Sequence, residues 1–337
     1  MRGSVFVIIV NYRTPALAID CINSLVSQRG DLHGGRVLLV DNHSGDDSVT
    51  RIAAEIEARG WADWVELLAM PRNGGFAYGN NAGLRRALAL DAGLAAVVLL
   101  NPDAVAQPGA LSQLLAYLDS NPGSGIAGAA IENAGGGAEG SAHRWPSPLG
   151  ELAEAAQLGA LSRVLRQYPV WPAVESAGNQ CDWVSGACMA IRREVLDAVG
   201  PLDEGYFLYF EEVDFCLRAR RAGWGSAFVP RAKVMHLEGA ATGIRARRQR
   251  RPAYWYASRR RFFVKAYGVA GLVLADLLWA LGRFSLVMRR RLGLGGRAGA
   301  AQEPTRYASD LLLGDLKAVV SGELRSIARI PRHAHAS

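Results

Sequence analysis

The sequence predicts an α/β fold on a mostly parallel sheet, and three observations carry that prediction. Short apolar runs alternate with helical patterns through the first hundred or so residues, and each apolar run ends in polar residues. At 337 residues, with 50% hydrophobic and 20% charged, the chain is long enough to bury a large core.

Val5 to Val10 is an apolar strand that runs into Asn11-Tyr12-Arg13. Thr14 and Pro15 then open a helix through about Gln28, with Thr as cap and Pro in the first turn. Arg36 to Val40 forms a second strand, ending in Asp41-Asn42-His43-Ser44, and a helix follows to about Arg59. Val65 to Ala69 is a third strand. Asn73-Gly74-Gly75-Phe76 turns into a helix through about Leu90, and Ala95 to Leu100 is a buried strand that stops at Asn101-Pro102-Asp103. Right-handed crossovers make these strands parallel, so their polar C-terminal ends gather along one sheet edge, where open α/β sheets bind ligands.

Regular pattern returns after a Gly-rich loop, Asn133 to Gly140, and a Pro-punctuated connection, Trp145 to Trp171. Cys181 to Ile191 is a strand, Arg193 to Val199 and Glu211 to Ala222 are helices, and Ser226 to Pro230 and Lys233 to His236 are short strands. This divides the chain into a main domain over 1–244 and a basic, apolar helical region over 245–337.

Charge is uneven. The net charge is +7, yet residues 239–300 hold 14 Arg or Lys against the single acid Asp276, a local balance of +13. These cations flank an apolar helix instead of standing beside aromatic base platforms, which argues against nucleic acid and for a membrane surface. Ala266 to Met288 is interrupted by Asp276 and Arg283, so no uncharged run reaches the roughly 20 residues of a span. At about 100° per residue, Lys265, Asp276, Arg283 and Arg290 fall within about 40° of one another, a narrow polar stripe on a greasy helix suited to a membrane interface. Packing on the core or on a second subunit is the alternative. Cys21, Cys181, Cys188 and Cys216 form neither a CxxC pair nor a zinc pattern and are expected as free thiols. Met1 to Val10 lacks a small-residue cleavage site and is expected as a first strand, not a signal peptide. The expected location is the cytoplasm, peripheral on the inner face of the membrane.

Three fragments carry chemistry. Asp103, after a strand, could hold a divalent cation against a pyrophosphate, although Asn-Pro-Asp is also an ordinary turn. His236 ends a strand and alone would be a polar terminus; beside an acid it suits manganese, where magnesium prefers oxygen alone. Glu211, Glu212 and Asp214 follow the aromatic run Tyr206 to Phe210. They fit either a solvated first helical turn or carboxylates that raise one another's proton affinity, as a general base requires. Asn73-Gly74-Gly75-Phe76 with Asn80 and Asn81 lacks GxGxxG and a Walker lysine, but its amides could bond a base or sugar. Asp41 could accept from a nucleoside or cap a helix, and Trp183 could stack on a sugar or sit in the core.

As an ordered series, Val10-Asn11-Tyr12, Val40-Asp41-Asn42 with Ser44, Asn73 to Phe76 with Asn80-Asn81, Asn101-Pro102-Asp103, Trp183 to Met189, Gly200 to Glu204, Glu211 to Asp214 with Arg218 and Gly223, and His236 resembles the family 2 glycosyltransferases. With Tyr254 to Gly268, the series is most similar to their bacterial rhamnosyltransferase branch. The resemblance spans about Val5 to Gly268 and implies a GT-A fold, an inverting sugar transfer, a nucleotide-diphosphate sugar donor and a divalent cation, Mn2+ or Mg2+. It implies Asp103 and His236 at the metal, Glu212 as base with Glu211 beside it, and Trp183, Gly186 and Asp214 towards the acceptor. The donor would meet Asn11, Tyr12, Arg13, Asp41, Asn42, Asn73, Gly74, Gly75, Phe76, Asn80, Asn101 and Asp103. By the same resemblance the sugar is first of all rhamnose from a thymidine diphosphate donor, with galactose, glucose or another deoxysugar open, and the acceptor a saccharide or lipid-linked saccharide. The chain departs from the pattern twice, with Asn101 for the first acid of the metal motif and Glu211-Glu212 for the usual Glu-Asp. Two rivals differ in class. A nucleotidyltransferase would show a glycine- and lysine-rich loop after the first strand, where Asn11-Tyr12-Arg13-Thr14 stands. A non-catalytic membrane scaffold would not need its acids intact.

Overall fold

The computed structural model describes residues 3–133, 135, 137, 141–157, 180–237, 249–293 and 304–328. Part of the expected Gly-rich loop, most of the Pro-punctuated connection, and Arg245, Arg247 and Arg248 lie outside them. The chain separates into two compact units, Met1–Ala142 with Ala173–Arg245, and His143–Pro172 with Ala246–Ser337.

The first unit starts as the apolar pattern dictates. Strands β1 (Val5–Asn11), β2 (Val37–Asp41), β3 (Val65–Ala69) and β4 (Ala96–Leu100) alternate with helices α1 (Pro15–Leu25), α2 (Ser48–Ala58) and α3 (Phe76–Leu90). Every residue of β1 is buried, as expected for an inner parallel strand covered on both faces. Helix α3 packs closely on β1, because a Cβ at Gly79 would stand 2.7 Å from Val10 and one at Gly83 2.6 Å from Ile8. Thr14 does not cap α1 through its side chain. Its hydroxyl instead donates to Asn11 Oδ1 at 3.1 Å, and α1 passes into a 3-10 turn over Val26–Leu32.

After β5 (Ala104–Ala106) and α4 (Ala110–Ser120), the chain forms β6 (Ser124–Glu132), and β7 (Ala142–His143) lies where the two units meet in sequence. The span expected as one strand from Cys181 to Ile191 is three: β8 (Gln180–Cys181), β9 (Trp183–Val184) and β10 (Cys188–Arg192), divided at Asp182 and again around Gly186. Helices α6 (Arg193–Val199) and α7 (Glu211–Arg221) precede β11 (Gly225–His236). The two short strands expected within β11 are one strand with an irregularity between Val229 and Lys233, where Pro230 has no amide to donate.

The sheet order is β3-β2-β1-β4-β10-β6-β11-β5, with β8 also paired to β11. The β1 to β4 half is parallel, whereas β10 enters antiparallel between β4 and β6. This insertion positions the site. Because Cys188 pairs with Leu100, the residues just before β10 arrive at the edge where β1, β2 and β4 end. His236 pairs with Ala104, so the far end of β11 comes beside Asp103.

The second unit is helical: α5 (Pro148–Ala156), α8 (Ala253–Arg291), α9 (Tyr307–Ser321) and α10 (Leu324–Ala328). Helix α8 is broken at Gly268 (φ 78°, ψ 176°), so Lys265 lies on a different helical segment from Asp276, Arg283 and Arg290. The expected polar stripe is therefore not continuous, and Asp276 does not face water. Its carboxylate accepts from buried Arg259 at 3.0 Å, and Arg259 also pairs with Glu151 and Asp315, each at 3.2 Å. The outward residues of α8 include the apolar Leu274, Leu277, Leu281 and Phe284, the last two 57% and 65% exposed, together with Arg290 and Arg291 at its end. By length and composition alone, α8 would suffice to cross a membrane.

Candidate active site

The ends of β1 and β2 lock together through polar side chains. The register pairs Asn11 with Asp41. Asn11 Nδ2 donates to Asp41 Oδ2 at 2.8 Å, the Ser44 hydroxyl to the same oxygen at 2.6 Å, and the Ser44 amide to Oδ1 at 3.0 Å. Arg13 joins through its amide to Ser44 Oγ and through Nε to the Ser44 carbonyl, both 2.9 Å. Its guanidinium carbon stands 5.2 Å from the centre of the half-exposed Tyr12 ring. Arg13 (φ 59°) and His43 (φ 60°) both hold left-handed backbone, a strain that accumulates where the surroundings impose geometry. The product is a rigid polar edge with one open aromatic face.

Asn42, next to Asp41, reaches the glycine turn before α3. Its Nδ2 donates to Asn73 Oδ1 at 3.0 Å and to the Gly75 carbonyl at 2.9 Å, while its own Oδ1 is buried without a partner. Gly75 (φ 88°) is required here, because a Cβ would overlap the Phe207 carbonyl. That carbonyl accepts from the Phe76 amide at 2.7 Å. A Cβ on Gly74 would strike the Tyr78 ring, and Asn80 donates to the Phe76 carbonyl at 2.9 Å.

At the end of β4, the Asn101 amide donates to the Ala187 carbonyl at 2.9 Å. Asp103 is 3% exposed, and its Oδ1 lies 3.1 Å from His236 Nε2; Asn101 Nδ2 lies 3.3 Å from the same ring nitrogen. Asn101 Oδ1 is buried and unpaired. The donor set fits a divalent cation. Two ligands about 2.1 Å from an octahedral ion stand about 3 Å apart, close to the Asp103–His236 separation, and imidazole with carboxylate suits a manganese-like ion. Among the described residues no cluster of three or more His, Cys, Asp or Glu side chains could hold a metal, so the remaining ligands would be substrate oxygens and water.

The paired glutamates emerge from strained backbone, with Tyr209 (φ 71°) and Phe210 (φ 68°) left-handed just before α7. Burial, then the charge of Glu212, pushes the Glu211 carboxyl well above its usual range. Burial pushes Glu212 up to about 7, although backbone amides at the helix start pull the other way. Each glutamate keeps a buried Oε2 with no partner. A Cβ at Gly186 would lie 3.6 Å from Glu212 Cβ and 3.7 Å from the Phe76 ring. Gly186 neighbours Ala187, which bonds Asn101, so a short series of contacts runs from Glu212 through the loop before β10 to the end of β4.

The other expected positions fall out unevenly. Asp214 has both oxygens engaged within the fold, accepting from Tyr206 Oη at 3.3 Å and from Arg218 Nε at 2.9 Å. Arg218 bonds the Val199 and Pro201 carbonyls as well, so Asp214 and Arg218 brace α7 against the segment before it. Trp183 is half-buried on β9. Asn81, expected with Asn80 as a possible base or sugar contact, has a structural role in addition: its side chain donates to the Leu202 carbonyl at 2.8 Å and accepts from the Leu202 amide at 3.0 Å, anchoring the segment that leads to Glu211. Its place in Asn80-Asn81 was the available signal; the Phe207 and Ala187 carbonyls leave none, because any residue carries one.

Residues 2–255 match the sequence profile described as "Glycosyltransferase like family 2". The chain belongs to that family. Among relatives of this family 2 chain, the N-acetylglucosaminyl-diphospho-decaprenol L-rhamnosyltransferase of Mycobacterium tuberculosis is 32% identical over 209 residues, covering 58% of this chain and 62% of the relative. The low-salt glycan biosynthesis hexosyltransferase Agl10 of Haloferax volcanii is 29% identical over 223 residues, covering 66% and 63%. The chain thus spans less than two thirds of either relative's length. Its fold is that of GT-A enzymes. The mannosyltransferase PcManGT from Pyrobaculum calidifontis, solved with GDP-Man and Mn2+, aligns with TM-score 0.56 at 17% identity, over 97% of this chain and 84% of that one. GalNAc-T7, solved with UDP, GalNAc and Mn2+, aligns with TM-score 0.54 at 14% identity, over 94% and 58%.

Proposed function

We propose that this chain is an inverting glycosyltransferase that moves a sugar, L-rhamnose from dTDP-rhamnose as first choice, onto a lipid-linked saccharide during cell-surface polysaccharide synthesis. The observation that carries the reading is the pairing of buried Asp103 with His236 at the sheet edge, with Glu212 reaching the same edge through Gly186. The names of the relatives support rhamnose and a diphospho-prenol acceptor.

The residues divide the work. Asn11, Asp41 and Arg13 form the edge that holds the nucleoside, with Tyr12 as its open aromatic face. Asn42, Asn73 and Gly75 keep the glycine turn close to it. Asp103 and His236 would hold a divalent cation, whose positive charge would oppose that of the departing diphosphate. Glu212, ionised above about pH 7, takes the proton of an acceptor hydroxyl. The hydroxyl oxygen bonds the anomeric carbon as the bond to diphosphate breaks, and one direct displacement inverts that centre. Glu211 beside it, whose proton affinity is raised by burial and then by the Glu212 charge, disfavours a second negative charge in the pocket.

The chain would act at the cytoplasmic face of the membrane, and the outward apolar residues of α8 support that location. Transfer assays with a panel of nucleotide sugars and manganese, using farnesyl-diphosphate-linked N-acetylglucosamine as acceptor, test the proposal. Sugar transfer from one donor is expected; none from any donor would reject it.

A further inference from the structure

The second unit contains a cleft of about 870 Å³ lined by five cationic side chains, Arg250, Arg251, Arg260, Arg306 and Lys317, and one acid, Asp310. The internal pairs leave the wall positive. Arg250 grips Asp310 through two bonds of 2.7 Å, and Arg260 is held by Asp315 at 2.7 Å. Among the described residues, Arg251, Arg306 and Lys317 have no carboxylate partner, and Arg251 Nε is buried with no hydrogen bond at all. The Arg251 guanidinium is kept in place by the Trp255 ring, 4.2 Å from its centre.

The backbone adds to the same potential. Pro252 and Ala253, at the start of α8, and Arg306, Ser309 and Asp310, at the start of α9, all line the cleft, so two long helices direct their N-terminal dipoles into it. An apolar stripe adjoins it. Leu313 lines the cleft and is 65% exposed, and Leu316 and Val320 continue outward along α9 at helical spacing.

We infer that this cleft binds the diphosphate of a prenyl-linked acceptor, with Arg251, Arg306 and Lys317 on the phosphates and the Leu313–Leu316–Val320 stripe along the lipid. A diphosphate diester carries two negative charges, which three cations more than neutralise, and an apolar stripe beginning at the rim fits a ligand whose anionic head continues directly into hydrocarbon. This rests on the transferase reading above for the chemistry of the ligand.

Titration of the full-length chain with farnesyl diphosphate, followed by calorimetry, tests it. The double variant Arg306→Ala, Lys317→Ala, changed only at exposed positions, is expected to bind about tenfold more weakly or worse. Arg251→Ala should weaken binding similarly, and its circular dichroism spectrum reports whether it folds. Unchanged affinity in the folded double variant overturns the inference. So does inorganic diphosphate binding as tightly as farnesyl diphosphate, since the stripe would then contribute nothing. Vesicles of phosphatidylcholine with and without phosphatidylglycerol separate the other source of phosphate: a double variant that loses only anionic-vesicle binding assigns the cleft to membrane headgroups and overturns the acceptor role. Failure of sugar transfer in the wild-type chain would remove the enzyme reading and leave this titration standing.

Discussion

Nε2 of His236 lies 3.1 Å from Oδ1 of Asp103, although 133 positions separate the two residues. Strand pairing closes that distance: β5 begins one residue after Asp103, and its first residue pairs with the last residue of β11. The sheet thus delivers an imidazole and a carboxylate to one point with backbone hydrogen bonds behind both.

If that pair holds the cation, Asp103→Ala should weaken nucleotide binding in the presence of manganese by about tenfold or more, and chelation should reduce the wild-type chain to the same affinity. Calorimetry with a nucleoside diphosphate, with and without manganese, checks this. Equal affinities in variant and wild type would take Asp103 out of the site.

Glu212→Gln should lower turnover by about 10²–10⁴-fold while donor affinity stays nearly constant, because a base acts in the transition state and not in donor binding. In the wild-type chain the acidic limb of the rate profile should have its midpoint near pH 7, where Glu212 ionises. A variant of near-normal turnover would show that another group takes the proton.

The same carboxyl makes a stability prediction of opposite character. Its folded-state pKa is raised, so the folded chain prefers the protonated form, and that contribution is present below the ordinary glutamate value and lost as pH rises through about 7. Glu212→Gln, which never ionises, should therefore raise Tm at pH 8 and leave it nearly unchanged at pH 4. Differential scanning calorimetry at the two pH values decides; a Tm gain confined to pH 4 would contradict the burial argument.

Gly75→Ala should destabilise the first unit by about 1–3 kcal/mol, since it forces a side chain into left-handed backbone and against the Phe207 carbonyl. Urea unfolding followed by tryptophan fluorescence measures the shift. Wild-type stability in this variant would mean that the turn relaxes freely.

Arg259→Met should cost about 3–5 kcal/mol, because Glu151, Asp276 and Asp315 would lose the guanidinium that all three share. The loss should shrink in acid as those carboxyls take up protons, with Asp276, pushed up by burial to about 7, among the first. Thermal melts across pH check this, and a pH-independent loss would point to packing alone.

Much of this was legible in sequence because it depends on local pattern. Uninterrupted apolar runs such as Val5 to Val10 have only one comfortable place, inside a parallel sheet, and the residues that end them must gather at one edge. Hence the Asn11, Asp41 and Asp103 positions could be read in advance, and the ordered series of motifs carried the family. The free state of the four cysteines followed from their spacing and burial pattern as well.

What local pattern could not supply was direction and partner. The reversal of β10, which turns Gly186 and Ala187 to the site, depends on long-range pairing with Leu100 and Gly128. Asp214 has the composition of a site acid but is engaged by Tyr206 and Arg218, a choice made by packing. Periodicity found a polar stripe on the C-terminal helix, yet periodicity has no sign: it separates two faces without saying which one turns inward. Only the tertiary structure, by offering Arg259 to Asp276 and breaking the helix at Gly268, directed Asp276 inward and left leucine and phenylalanine outside.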